Sequence, residues 1–159
     1  MRCGAPVTVD VAVPCAAWRK ALPDVRARAA AAALAALADQ TLPPAAELSI
    51  VLADDGLLRR LNRRWRGRDA PTNVLSFANG APLLGDVVLA FETVSREAAE
   101  QAKPLADHLA HLVTHGVLHL RGYDHETAGE ARRMEALERR VLAHIGVADP
   151  YRRRESARG

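Results

Sequence analysis

Residues 104–125 read PLADHLAHLVTHGVLHLRGYDH, and most of the chain's organisation follows from them. Pro104 suits the first turn of a helix, where its missing N–H leaves no bond unmade, and the helical pattern runs to about Leu120 before Gly122 stops it. With Leu109 at the centre of the apolar face, Leu105, Leu112, Val113, Gly116 and Leu120 fall within about 60° of it. His111, His115 and His119 form their own stripe, roughly 80 to 160° round. Residues four apart on a helix differ by only about 40° in direction, so the imidazoles of His115 and His119 lie one above the other. Gly122 lets the chain leave helical dihedrals, and six residues beyond His119 it can fold back to present His125. Three imidazoles with a fourth position open are the donor set of a catalytic zinc ion, not of a closed structural site.

The spacing H-x-x-x-H-x-x-G-x-x-H resembles that of the metzincin metalloproteases in every ligand position, but the carboxylate that follows the first histidine there is Gly116 here. Peptide hydrolysis needs a base to take a proton from water and return it to a poor amine leaving group, and glycine does neither. His111, one turn before the ligand pair, reads best as a supporting or surface histidine, and His108 more weakly still. His144 is favoured by the C-terminal dipole of the last helix.

Outward from this segment, residues 7–13 and 47–53 read as short strands, as do 73–77 and 83–91, the last carrying Gly85 and Asp86 as unusual members. Helices are expected over 24–38, from an Asp54 or Asp55 cap to about Trp65 with Gly67 as its stop, over 92–103, and over 130–145. The last carries Met134, Leu137, Val141 and Ile145 on one stripe. The expected fold is α+β, one domain over 1–150, with a mixed sheet of about four strands and four or five helices. A flexible basic tail is expected over 151–159. The chain has 159 residues, 49% of them apolar and 26% charged, enough for one core and against disorder. Cys3 and Cys15 have neither metal-pair spacing nor the density of a secreted framework, and no span of membrane length or export signal is recognisable, so a cytoplasmic location is expected.

Net charge is only +3, but Arg59, Arg60, Arg63, Arg64, Arg66 and Arg68 crowd one stretch, a footprint suited to nucleic acid as well as to a plain solvated surface. Arg66, between Trp65 and Gly67 at a helix end, is placed to clamp a phosphate. Asp86 interrupts an apolar strand and is either a surface-edge residue or one directed into a polar site, where it could handle a proton. Asp124 adjoins His125 and could orient the loop or an imidazole. Thr72 and Asn73 hold a turn or face a substrate.

From about residue 51 to 151 the chain resembles the YbeY family of bacterial endoribonucleases, the rRNA maturation factors. The resemblance rests on Leu61-Asn62, Trp65-Arg66-Gly67-Arg68-Asp69, Pro71-Thr72-Asn73-Val74-Leu75-Ser76-Phe77, Leu84-Gly85-Asp86, residues 111–119, Gly122-Tyr123-Asp124-His125 and Met134-Glu135-Ala136-Leu137-Glu138. It departs at Ala78, where a proline is usual, and at Arg121, often aliphatic and here expected to add positive charge beside the metal. The resemblance implies a monomeric, zinc-dependent enzyme that cuts single-stranded rRNA precursor, acting in 16S rRNA 3′-end maturation and ribosome quality control. Its partners would be the small ribosomal subunit and, beyond it, a ribosomal protein or assembly GTPase. It places His115, His119 and His125 on the metal ligands and Arg66 on the functional arginine. In the mechanism expected from the residues, His115 and Arg66 are catalytic, with Asp86 as a supporting or proton-handling member of the set. A zinc-stabilised assembly factor without catalysis, and a metalloprotease, are the competing readings.

Overall fold

The structure is a computed structural model and describes residues 7–151. The chain runs β1 (Thr8–Ala12), α1 (Ala17–Ala21), α2 (Val25–Leu37), β2 (Glu47–Ala53), α3 (Asp55–Arg66), β3 (Val74–Ala78), β4 (Leu83–Ala90), α4 (Phe91–Glu100), α5 (Leu105–Leu120) and α6 (Ala128–His144). The four strands form one mixed sheet in the order β1-β2-β4-β3, with β1, β2 and β4 parallel and β3 antiparallel to β4 on the outer edge. The expected α+β domain with a four-stranded mixed sheet is therefore present. The helices number six among the described residues, because α1 is a five-residue turn. That turn forms around Trp18, which is fully buried, donates its indole N–H to the Ala53 carbonyl at 2.9 Å and meets Phe91 edge-on.

On one face of the sheet α2 packs beside α5, and α6 packs on both. The buried face of α2 is mostly Ala29, Ala32, Ala33 and Ala36, side chains short enough for its backbone to approach α5 closely. The other face carries α3, over a small cluster of Ala53, Leu58, Leu75, Val88 and Ala90. Helix α5 is buried almost all round, because it is wedged between the sheet and the neighbouring helices.

Close packing of α5 on the sheet requires glycine twice. A Cβ at Gly116 would stand 2.7 Å from a Val87 methyl and 3.0 Å from Ser76 Oγ. One at Gly85, whose φ is +144°, would collide with the Phe77 carbonyl and stand 2.8 Å from Leu120. Helix ends follow local chemistry. Asp54 accepts from the Leu57 N–H at 2.9 Å, Gly67 closes α3 at φ +71°, and Thr127 with Glu130 forms a reciprocal capping box at α6, which starts two residues before the expected 130. Among the described residues no helix is long and apolar enough to cross a membrane. Tyr151, the first residue of the expected tail, is held against α5 and α6 instead of fraying, while 152–159 lie outside the described residues.

Candidate metal centre and cleft

A cleft of about 480 Å³ opens at the outer edge of β3. One wall is the end of α5 and the loop after it, carrying His115, His119 and His125; the other is the last turn of α3, carrying Trp65 and Arg66. After α5 the backbone turns back on itself, with the Gly122 N–H on the His119 carbonyl and the Tyr123 N–H on Leu118. Gly122 adopts φ +97°, and Asp124 accepts from the His125 N–H at 2.7 Å, so this carboxylate shapes the loop.

The ring centroids lie 6.5 Å apart for His115 and His119, 5.5 Å for His115 and His125, and 6.3 Å for His119 and His125. A circle through them has a radius of about 3.5 Å, whereas three imidazoles bound tetrahedrally at about 2.1 Å would put their centroids about 5.2 Å apart, on a circle of about 3.0 Å. Among the described residues no histidine, cysteine or carboxylate group of three already stands at coordinating distance. The shortfall is a few tenths of an ångström per ring, within reach of exposed His119 and of His125 on its loop. The donor chemistry and the near-equal triangle fit one zinc ion with its remaining position open to the cleft.

His115 is held from behind. Glu138, on α6 and fully buried, takes the His115 Nδ1–H on Oε2 at 2.7 Å, which leaves Nε2 as the nitrogen free to ligate. Its Oε1 accepts from His111 Nε2 at 3.0 Å and from the Tyr151 hydroxyl. Burial alone would push the Glu138 carboxyl up; the hydrogen bonds from His111, His115 and Tyr151 outweigh it and hold the pKa at about 2. The Tyr151 hydroxyl is pushed far up by burial and by this carboxylate. His111 thus supports the cluster without lining the cleft. Sequence reasoning missed Glu138 as a site residue, although the pattern carried a sign of it: a carboxylate four positions after Met134 and three before Val141, inside the buried stripe of α6.

Arg66 lies at the cleft mouth, exposed, on a helix end fixed by the Gly67 turn and by Asn62, whose amide donates to the Ala70 carbonyl at 2.9 Å. Of the arginine run, only Arg59 has a carboxylate within 4 Å among the described residues, Asp69 at 2.8 Å. That pair raises the arginine pKa and lowers the aspartate's, chiefly through its hydrogen bond.

Asp86 is not brought into the cleft. Val87 points to α5, so Asp86 projects from the opposite face, paired across the strands with Phe77 and held by the Asn79 amide at 3.2 Å. Its cross-strand neighbour Phe77 lines the cleft, and Asp86 does not. Arg121 also turns away, donating to the Thr41 carbonyl at 3.0 Å, and adds no charge beside the histidines. Asn73 serves the fold, with its amide on Glu97 at 3.0 Å and its carbonyl on the Ala90 N–H. His108 is buried on the same Glu97, 2.9 Å away, and burial lowers its pKa against that bond.

Fold and cleft together define a one-domain α+β protein that gathers three imidazoles beside the open edge of a mixed sheet. The sequence model of one family, endoribonuclease YbeY, matches residues 17–146. The endoribonuclease YbeY of Paramagnetospirillum magneticum is 56% identical over 159 residues, covering 91% of this chain and 97% of its own. That of Methylocella silvestris is 49% identical over 149 residues, covering 90% and 85%. The chain belongs to the endoribonuclease YbeY family. A solution structure of TM1509 from Thermotoga maritima aligns over 92% of this chain and 100% of its own, with a TM-score of 0.53 at 21% identity, in keeping with the same fold.

Proposed function

We propose that the protein is a zinc-dependent endoribonuclease that cuts single-stranded RNA, acting as a cytoplasmic monomer on rRNA precursor of the small ribosomal subunit. Maturation of the 16S rRNA 3′ end and ribosome quality control are the processes this reading assigns to it, with a ribosomal protein or assembly GTPase as a further partner. The observation that carries it is the pairing, across one cleft, of three converging imidazoles with an exposed arginine at the end of a basic helix. The family relatives are named as endoribonucleases, which agrees.

His115, His119 and His125 would hold the zinc, which when bound supplies Lewis-acid polarisation of a phosphoryl oxygen and acidifies water. Glu138 keeps the His115 proton on Nδ1 and the ring aimed at the cleft. Arg66 binds a phosphate entering between the two walls and neutralises negative charge that develops on it. Its exposed neighbours Arg63, Arg64 and Arg68 hold flanking phosphates. Peptide hydrolysis is disfavoured, since the position after His115 faces Val87 and Ser76 with no room for a carboxylate.

Binding and single-turnover cleavage of a single-stranded RNA by Arg66→Ala test the reading. Cleavage should fall about tenfold to a thousandfold while affinity falls much less, with zinc content unchanged by elemental analysis. Equal losses of affinity and cleavage would reduce Arg66 to a patch residue. Wild-type cleavage by both Arg66→Ala and His115→Ala would mark the activity as a contaminant and leave a non-catalytic assembly factor.

A further inference from the structure

Helix α3 ends beside the edge strand β3. Leu58 and Asn62 are buried, but Trp65, one turn on, overhangs the cleft with 63% of its surface exposed, the most exposed large apolar side chain among the described residues. Phe77 meets the indole edge-on at 6.4 Å between centroids, which fixes its attitude, and the Arg64 guanidinium lies 5.4 Å from its centre. A few residues away runs the free edge of β3. The Ala90 N–H bonds the Asn73 carbonyl, so residues 73, 75 and 77 turn their backbone groups to β4. Val74 and Ser76 turn theirs outward, into the cleft, and no other strand among the described residues pairs with them. A flat aromatic platform and a row of peptide donors and acceptors thus share one cleft, with Arg66 in its lining and Arg64 over the indole, neither with a carboxylate within 4 Å among the described residues.

We propose that Trp65 and the outer edge of β3 form a nucleobase subsite, in which one unpaired base stacks on the indole and hydrogen-bonds to the N–H and C=O groups of Val74 or Ser76. The inference rests on the RNA-cleaving reading and adds what that reading lacks, a contact to the base and not only to phosphate. Stacking accepts any base, while backbone groups reach the edge that a duplex would hide, so the subsite selects single strands. An extended polypeptide could also pair with a free strand edge. The arginine rim and the exposed indole favour a polyanion with flat bases.

Tryptophan emission reads the subsite directly, because the second tryptophan, Trp18, is fully buried. The zinc-loaded protein is titrated with a single-stranded 2′-O-methyl RNA hexamer and with the same hexamer made abasic, its integrity checked on a gel. Saturable quenching by the first and not the second is expected. Read by fluorescence anisotropy of end-labelled hexamers, Trp65→Ala should weaken binding of the base-bearing hexamer about fivefold to a hundredfold and leave the abasic one unchanged, with Trp65→Phe within about threefold of wild type. Equal binding of both hexamers by wild type and Trp65→Ala would overturn the subsite while leaving metal-dependent cleavage, measured in parallel, to stand. Quenching with base discrimination but without cleavage would support the subsite and sink the nuclease. Quenching by an unstructured peptide at lower concentration than by the hexamer would assign the edge to protein instead.

Discussion

Replacing Gly116 by alanine should destabilise the protein, although alanine is the better helix former by about 1 kcal/mol. The added Cβ would sit 2.7 Å from one Val87 methyl, 3.3 Å from the other and 3.0 Å from Ser76 Oγ. Val87 is fully buried in β4 and, being β-branched, is restricted at χ1 and retreats poorly. Helix α5 must lift from the sheet, at a cost of about 1–3 kcal/mol for overpacking. The bond from Ser76 Oγ to the Gly116 carbonyl, 3.2 Å long, is stretched by the same movement. With the helix-propensity gain subtracted and about 0.5 kcal/mol added for the weakened Ser76 bond, the net loss is about 0.5–2.5 kcal/mol, or a melting temperature lower by about 1–10 °C in a domain of this size. Thermal and urea unfolding of wild type, Gly116→Ala, Val87→Ala and the double variant measure it. In the Val87→Ala background the new methyl enters vacated space, so its penalty should vanish or reverse, a coupling of at least about 1 kcal/mol. A Gly116→Ala protein as stable as wild type, or one equally penalised in both backgrounds, would refute the account of how α5 seats His115 against β3.

Glu138→Gln keeps an acceptor for His115 but removes the charge, and should weaken zinc about tenfold to a hundredfold in chelator competition; unchanged affinity would detach Glu138 from the metal centre. His119→Ala should lower bound zinc severalfold by elemental analysis with the fold retained, as its far-ultraviolet spectrum would record. Burial lowers the pKa of His108 below the usual 6.5, so its stabilising contribution is full above pH 6.5 and is lost as pH falls and the unfolded chain takes up the proton first. The stability gap between wild type and His108→Gln should accordingly shrink from pH 7.5 to pH 5.5 in urea unfolding, and a gap that widens would contradict it. Asp86→Asn should change RNA cleavage by no more than about twofold, since the carboxylate faces Asn79 away from the cleft; a tenfold loss would return it to the reaction.

The histidine stripe was legible because a helix imposes its own period. His115 and His119 share a face whatever the helix packs on, and Gly122 marks where the chain is able to turn and bring His125 back. Helix α3 and its Asp54 cap, strand β2 and the seat of Arg66 were readable for the same reason, each being set by residues within one turn of one another. Strand parity told the sequence that Asp86 and Val87 oppose each other, but not which of them meets α5. That depends on β3 and β4 pairing in one register and on α5 crossing their side of the sheet, both long-range choices. Glu138 and Tyr151 are tied to His111 and His115 by contacts spanning 13 to 40 residues of chain, beyond any local period. The cleft wall formed by Trp65 and the edge of β3 is tertiary as well. Trp65 looks like one more member of the α3 apolar stripe until α3 is seen to end beside the edge strand β3, and only the strand order, with β3 outermost, leaves the peptide groups of Val74 and Ser76 open to a ligand.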